Sequence, residues 1–279
     1  MLPFDFDYYR PETLQEAVEL YQKQAGQGKQ VIFFSGGTEL ITLGRIDLAY
    51  ADAVIDIKGI AECKIIKSEG SQLLLGSALS LTQIEEANPF PLLTKVASEV
   101  ADHTARGKIT LGGNICAEIF YREAVLPFLL ADSQLMIVGP EGIKTVQIHE
   151  IFQRQLQLKR GEMLVQTATD RRFIEAPFYA VKRRQQWDTG YPLITLAALK
   201  IGQEIRVAIS GLCPFPFRSA ELEAHLNRWG QAAESRIDGA LSVLPKPILD
   251  DVEGSAEYRI FVLRNLLYDV LSVLEGARV

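Results

Sequence analysis

The stretch that most constrains this chain is Val31 to Leu48, VIFFSGGTELITLGRIDL, in which four consecutive apolar residues run into two adjacent glycines and then into a helix-like pattern. An unbroken apolar run of that length reads as a short buried strand. When such a strand ends on bare backbone and the chain restarts as a helix, several N–H groups can converge on one point, which suits a phosphate. Thr38 would add a hydroxyl. The loop lacks the Gly-Lys-Ser/Thr ending of a Walker loop and the spaced glycines of the nicotinamide fingerprint, so a Rossmann domain is not expected. The next apolar stretch, AVIDI at Ala53 to Ile57, reads as a second strand, and with a short crossover the two make a small α/β unit.

Around this unit the pattern changes. RPETLQEAVELYQKQ sets Leu14, Val18 and Tyr21 along one helical face and predicts a helix that packs on the next strand. CKIIKSEGSQLLLGSALSL predicts a hairpin followed by a helix, with Ser80 and Gln83 as a capping box. PLLTKVASEVADHTARGK reads as one longer amphipathic helix, and AVLPFLLAD as another. SQLMIVGPEGIKTVQI is a hairpin by its Gly-Pro-Glu-Gly turn, and EMLVQTATD is a further strand. The pattern pauses at Arg171 and Arg172, where a domain boundary is expected. Beyond it, FYAVKRR and LITLAALKIGQEIRVAIS predict a three-stranded antiparallel sheet. The tail is helical, and SAELEAHLNRWG and SAEYRIFVLRNLLYDVLSVLEGA both open on a serine N-cap and close on glycine.

A second glycine pair repeats the hydroxyl, paired glycines and polar amide of the first: TLGGN, Thr110 to Asn114. Two bare loops gripping one diphosphate from two sides point to a dinucleotide. Other chemistry is poorly supported. A net charge of −6 argues against nonspecific attraction to nucleic acid or an anionic membrane. The basic stretch VKRRQQW, Val181 to Trp187, is read as facing an acidic partner subunit or the cofactor. Cys63, Cys116 and Cys213 are far apart and read as buried apolar thiols, and His103, His149 and His225 lack metal-ligand spacing. There is no GxSxG elbow. No run of about 18 apolar residues marks a membrane span, and the acidic start MLPFDFDYYRPETLQEA is unlike a signal peptide, so a cytoplasmic location is expected.

SGGTEL and TLGGNI at this separation, with GSAEYR at Gly254 to Arg259, resemble the FAD-binding medium subunit of the molybdenum hydroxylases, the xanthine dehydrogenase and carbon monoxide dehydrogenase flavoprotein family. The similarity spans nearly the whole chain. It implies an α+β fold: a vanillyl-alcohol-oxidase-like (PCMH-type) FAD-binding domain at 1–170, in subdomains of about 1–57 and 58–170, then a C-terminal antiparallel sheet with helices at 171–279. Carried over by position, it implies that Phe33, Phe34, Ser35, Gly36, Gly37, Thr38, Glu39 and Leu40 form one cofactor cradle. Thr110, Gly112, Gly113 and Asn114 would form the other, with Leu164 near the flavin and Lys182 beside its ring. A cation there would stabilise the negative charge of reduced flavin. In ICAEIFYREAVLP the chain departs from the family's Ser-Pro and aspartate. Glu123 stands at the offset of the aspartate that touches the cofactor in relatives and would accept the same ribityl or ribose hydroxyl of FAD, with Glu118 as the alternative; TARGK replaces the usual approach to the second loop.

The resemblance further implies an oxidoreductase whose separate partner chains hold the molybdopterin and two [2Fe–2S] clusters. Electrons would pass through the clusters to FAD and on to NAD or another acceptor. Three scattered cysteines could not ligate a cluster, and no residue in this chain is assigned a catalytic or metal-binding role. Two alternatives stand beside this reading. One is a self-sufficient flavin oxidoreductase on the same scaffold; the other is a cofactor-free assembly relative that kept the fold.

Overall fold

The computed structural model describes residues 4–185 and 190–276. Its contacts divide the chain into two compact units. The first comprises residues 1–89, 103–117 and 133–169, and the second 90–102, 118–132 and 170–279.

In the first unit, β1 (Asp7–Tyr9) leads into α1 (Leu14–Gly26), which Thr13 caps through its side chain. There follow β2 (Val31–Phe34), α2 (Thr38–Gly44) and β3 (Ala53–Asp56). The three strands form a parallel sheet in the order β1-β3-β2. Leu14, Val18 and Tyr21 of α1 pack with Val31 and Ile55 in one apolar core, as the helical spacing predicts. The predicted hairpin is β4 (Ile66–Glu69) and β5 (Gln72–Gly76). Ser80 and Gln83 then form the predicted capping box of α3 (Leu81–Ala87).

The stretch read as one long helix is two short ones, α4 (Pro91–Ala97) and α5 (His103–Arg106). Ala101 between them has φ +49°, a left-handed conformation that a continuous helix cannot contain. α6 (Leu111–Cys116) and α7 (Leu126–Leu130) precede the second predicted hairpin, β6 (Gln134–Gly139) with β7 (Gly142–Gln147). After α8 (Ile148–Ile151), β8 (Phe152–Gln153) and β9 (Gln155–Leu156), the strand β10 (Met163–Asp170) inserts between β5 and β6. This gives a five-stranded sheet in the order β4-β5-β10-β6-β7.

The second unit takes α4 and α7 from within the block expected to be one domain at 1–170. Their apolar residues Leu92, Leu93, Val96 and Phe128 are buried, and contacts join α4 to β11 and α7 to β12, β13 and β14. After α9 (Arg171–Ile174) the chain forms β11 (Phe178–Arg184), β12 (Pro192–Ile201), β13 (Glu204–Ser210) and the two-residue β14 (Phe217–Arg218). The antiparallel sheet thus has four strands rather than three. β12 is buried along nearly its whole length, as a strand must be when both faces are covered. α10 (Ala220–Leu226), α11 (Ala233–Ser242) and α12 (Ala256–Gly276) complete the core with β12 and β13. Ser219 and Ser255 both accept hydrogen bonds at the starts of α10 and α12; α10 ends on Asn227, not on glycine. No described helix is long and apolar enough to cross a membrane.

Candidate functional site

Both glycine pairs belong to the first unit, and backbone contact brings them together. A Cβ on Gly36 would lie 2.1 Å from the carbonyl oxygen of Lys108 and 3.3 Å from the backbone nitrogen of Thr110. Only glycine lets the first loop approach the entrance of the second this closely. Gly37 adopts φ +71° at the start of α2, and no side chain caps that helix end. A Cβ there would also meet the Phe34 ring at 2.4 Å. The first intrahelical bond runs from Ile41 N–H to the Gly37 carbonyl, and helix geometry gives the N–H groups of Thr38 and Leu40, one turn or less into the helix, no acceptor within it. The Ser35 hydroxyl is buried and has no partner within the protein. A buried hydroxyl left so is unfavourable by roughly 1–3 kcal/mol unless something binds it.

The second loop is built differently. Its backbone donors are taken up by the protein itself: Leu111 N–H reaches the Leu79 carbonyl at 2.8 Å, and Gly112 N–H the Ser77 carbonyl at 2.7 Å. Gly113 N–H reaches Thr110 Oγ1 at 3.2 Å, and Asn114 N–H the Thr110 carbonyl at 2.8 Å. The two glycines are needed for packing, because a Cβ on Gly112 would sit 2.6 Å from Ser77 Cβ and one on Gly113 2.8 Å from Thr110 Oγ1. What this loop offers a ligand is its shape and the side chains of Thr110 and Asn114, both largely buried.

Sequence reasoning did not find what holds the second loop. β10 carries a register shift between Leu164 and Gln166, and the Val165 carbonyl there accepts the Ser77 N–H at 2.9 Å. The bulge therefore fixes Ser77, which fixes Gly112. Leu164, expected near the flavin, is a buried residue of this strand.

A second missed group lies under the first loop. At the end of β3, Asp56 accepts hydrogen bonds from the Tyr8 hydroxyl at 2.5 Å and from Lys58 N–H at 2.9 Å, and Lys58 donates from its ammonium to the Ser35 carbonyl at 2.7 Å. Burial opposes the charge on Asp56, but the hydrogen bonds from Tyr8 and Lys58 outweigh it and hold the carboxyl below its ordinary value. The clue was the pair of charged residues, Asp56 and Lys58, at the end of an apolar strand.

In the second unit the structure joins Lys182 and Glu123, assigned separately by the resemblance, as a buried ion pair. Lys182 Nζ lies 2.7 Å from Glu123 Oε1 and 2.8 Å from the Glu99 carbonyl, and the two side chains are 4% and 2% exposed. Lys182 is thus no solvated strand lysine. Of the basic stretch Val181 to Trp187, the last two residues lie outside the described set. Cys63 and Cys213 are buried as expected, and burial pushes the Cys63 thiol up to about 11; Cys116, at the end of the short α6, is exposed instead. Among the described residues no group of three or more His, Cys, Asp and Glu side chains is placed to hold a metal ion.

An uncapped helix start, an orphaned buried hydroxyl and two glycines that admit no side chain are of the chemistry a dinucleotide's diphosphate requires, and the class of protein follows from the family. Residues 4–168 match the family described as the FAD binding domain in molybdopterin dehydrogenase, and the chain belongs to that family. It is similar to the nicotinate dehydrogenase FAD-subunit of Eubacterium barkeri, 25% identical with 98% of each chain covered. It is also similar to the xanthine dehydrogenase FAD-binding subunit of Escherichia coli, 27% identical with 96% of each chain covered. In fold it matches the carbon monoxide dehydrogenase from Hydrogenophaga pseudoflava, with a TM-score of 0.85 and 22% identity over 99% of each chain. The reconstituted CO dehydrogenase from Oligotropha carboxidovorans gives 0.86 and 21% over 100% of each. The cofactor is FAD, and the chain is an oxidoreductase component.

Proposed function

We propose that this chain is the FAD-carrying electron-transfer subunit of a heteromeric molybdenum hydroxylase of the cytoplasm. Its partners would be a molybdopterin-binding large subunit and a small subunit with two [2Fe–2S] clusters. Bound FAD exchanges electrons singly or in pairs, which suits it to link one-electron clusters to NAD or another two-electron acceptor. The names of the relatives support this assembly, since they are FAD subunits or medium chains of dehydrogenases.

The observation that carries the reading is the seating of Gly36 on the Lys108 carbonyl beside the unpartnered Ser35 hydroxyl. The first loop, Phe33 to Leu40, forms one wall of the cradle, in which the Ser35 hydroxyl binds and orients the diphosphate. Thr110, Gly112, Gly113 and Asn114 supply the second wall. Leu164 excludes water on the flavin side, and Lys182, with its charge balanced by Glu123, tunes the flavin's potential.

Purified chain titrated with FAD tests the proposal by absorbance and flavin fluorescence. The parent is expected to bind one FAD; Ser35→Ala should weaken binding about tenfold through loss of one charge-assisted hydrogen bond, and Gly36→Val should abolish it. Full flavin retention in a folded Gly36→Val chain would reject the cradle. Copurification with a molybdenum-containing chain and a [2Fe–2S] chain tests the assembly.

A further inference from the structure

We infer that Lys58 is a positioning residue for the cofactor, holding the Ser35 carbonyl and the Phe34 ring so that the first glycine loop presents one backbone conformation to the FAD diphosphate. The inference rests on the reading of Ser35 to Gly37 as the cradle.

Glycine pairs are conformationally free, and a loop that must be ordered when its ligand arrives binds more weakly than one already in place. Something else must therefore fix this loop. The parallel register sets Phe34 opposite Asp56, so a residue two positions past Asp56 reaches the chain just past Phe34. Lys58 is that residue. Its ammonium donates to the Ser35 carbonyl at 2.7 Å, lies 2.9 Å from Asp56 Oδ2, and sits 4.7 Å above the Phe34 ring. The Phe34 ring in turn lies against Gly37.

The anchor is firm at its other end, because the Asp56 side chain is only 4% exposed and is also held by Tyr8 and by the Lys58 N–H. An ordinary surface ion pair contributes about 0–1 kcal/mol and fixes nothing, whereas this cation contacts a buried carboxylate, a loop carbonyl and an aromatic face at once. The hold also has a direction. In a trans peptide the carbonyl and the following N–H point to opposite sides. With the Ser35 carbonyl drawn to Lys58, the Gly36 N–H is turned away from it, clear of the competing cation.

The test uses the full apo chain, with FAD and ADP as probes. The Lys58 side chain is 39% exposed and Met keeps its stem, so Lys58→Met is expected to fold, which circular dichroism checks. Its dissociation constants for FAD and ADP should both rise about tenfold or more, the effect of one lost charged hydrogen bond. Lys58→Arg, which can still donate to Ser35, should restore most of the affinity. The ionic-strength dependence of binding should keep its slope in Lys58→Met, because the lysine acts on the loop. A flattened slope would mean direct contact with phosphate and would overturn the positioning role. Unchanged FAD affinity in Lys58→Met, or failure of Lys58→Arg to rescue, would overturn it too. Should Lys58→Met fail to fold, Asp56→Asn is the second variant, with a smaller loss of affinity expected and none overturning the inference. Gly36→Val separates the two readings: if it releases FAD while Lys58→Met does not, only the inference falls; if folded Gly36→Val also retains FAD, the cradle falls.

Discussion

A buried ion pair such as Lys182–Glu123 rarely exists for stability alone, because removing two charges from water offsets most of their attraction. Removing one partner is another matter. Lys182→Met should cost about 3–5 kcal/mol by leaving the Glu123 carboxylate alone in a nearly closed site, and the double variant Lys182→Met/Glu123→Leu should recover most of that. Chemical denaturation of the three proteins measures this. The double variant also tests the flavin role, since it is folded but lacks the cation. If Lys182 tunes the cofactor, the reduction potential of bound FAD falls in the double variant, and an unchanged potential refutes that role. Neither the pairing nor its burial was legible in the sequence. The two residues lie far apart in the chain, and each separately resembles a solvated surface charge.

At the scale of elements, what is local was legible. The capping box of α3 follows from Ser80 and Gln83 alone, and both of its hydrogen bonds form, at 2.9 and 3.1 Å. Ser80→Ala should lower the stability of the chain by about 1 kcal/mol, with a melting temperature reduced by about 2–4 °C for a chain of this length; no change would show that α3 is held by packing alone. The two hairpins were legible for the same reason, since their turns are written in Gly70 and in Gly-Pro-Glu-Gly. Elements that depend on distant partners were not. β1 is only three residues long and exists because β3 lies beside it. The break at Ala101 carries no glycine or proline to announce it. The bulge at Val165 carries no glycine or proline to mark it. The first glycine loop was read correctly as a sharp strand-to-helix turn. The second resembled it in letters but differs in hydrogen bonding, because residues from β5 onward supply acceptors that its own letters do not reveal.

For the whole molecule, the chain passes between the two units five times, at residues 89, 102, 117, 132 and 169. The crossing at 169 coincides with the pause seen at Arg171 and Arg172; the four earlier ones bring α4 and α7 to a sheet made much later. A fragment ending at residue 170 would carry the apolar faces of α4 and α7 without β11 to β13. It is expected to aggregate, or to give circular dichroism without a cooperative melt; a soluble, cooperatively folding fragment that binds FAD would contradict this. The same crossings set a schedule for synthesis. α4 is complete at Ala97, while β11 begins at Phe178, roughly eighty residues later. At ~5–20 residues per second that is a wait of about 4–16 s, during which Leu92, Leu93 and Val96 have no sheet to cover them. The nascent chain is thus a natural client for chaperones that shield apolar segments on the ribosome, well before any cofactor arrives.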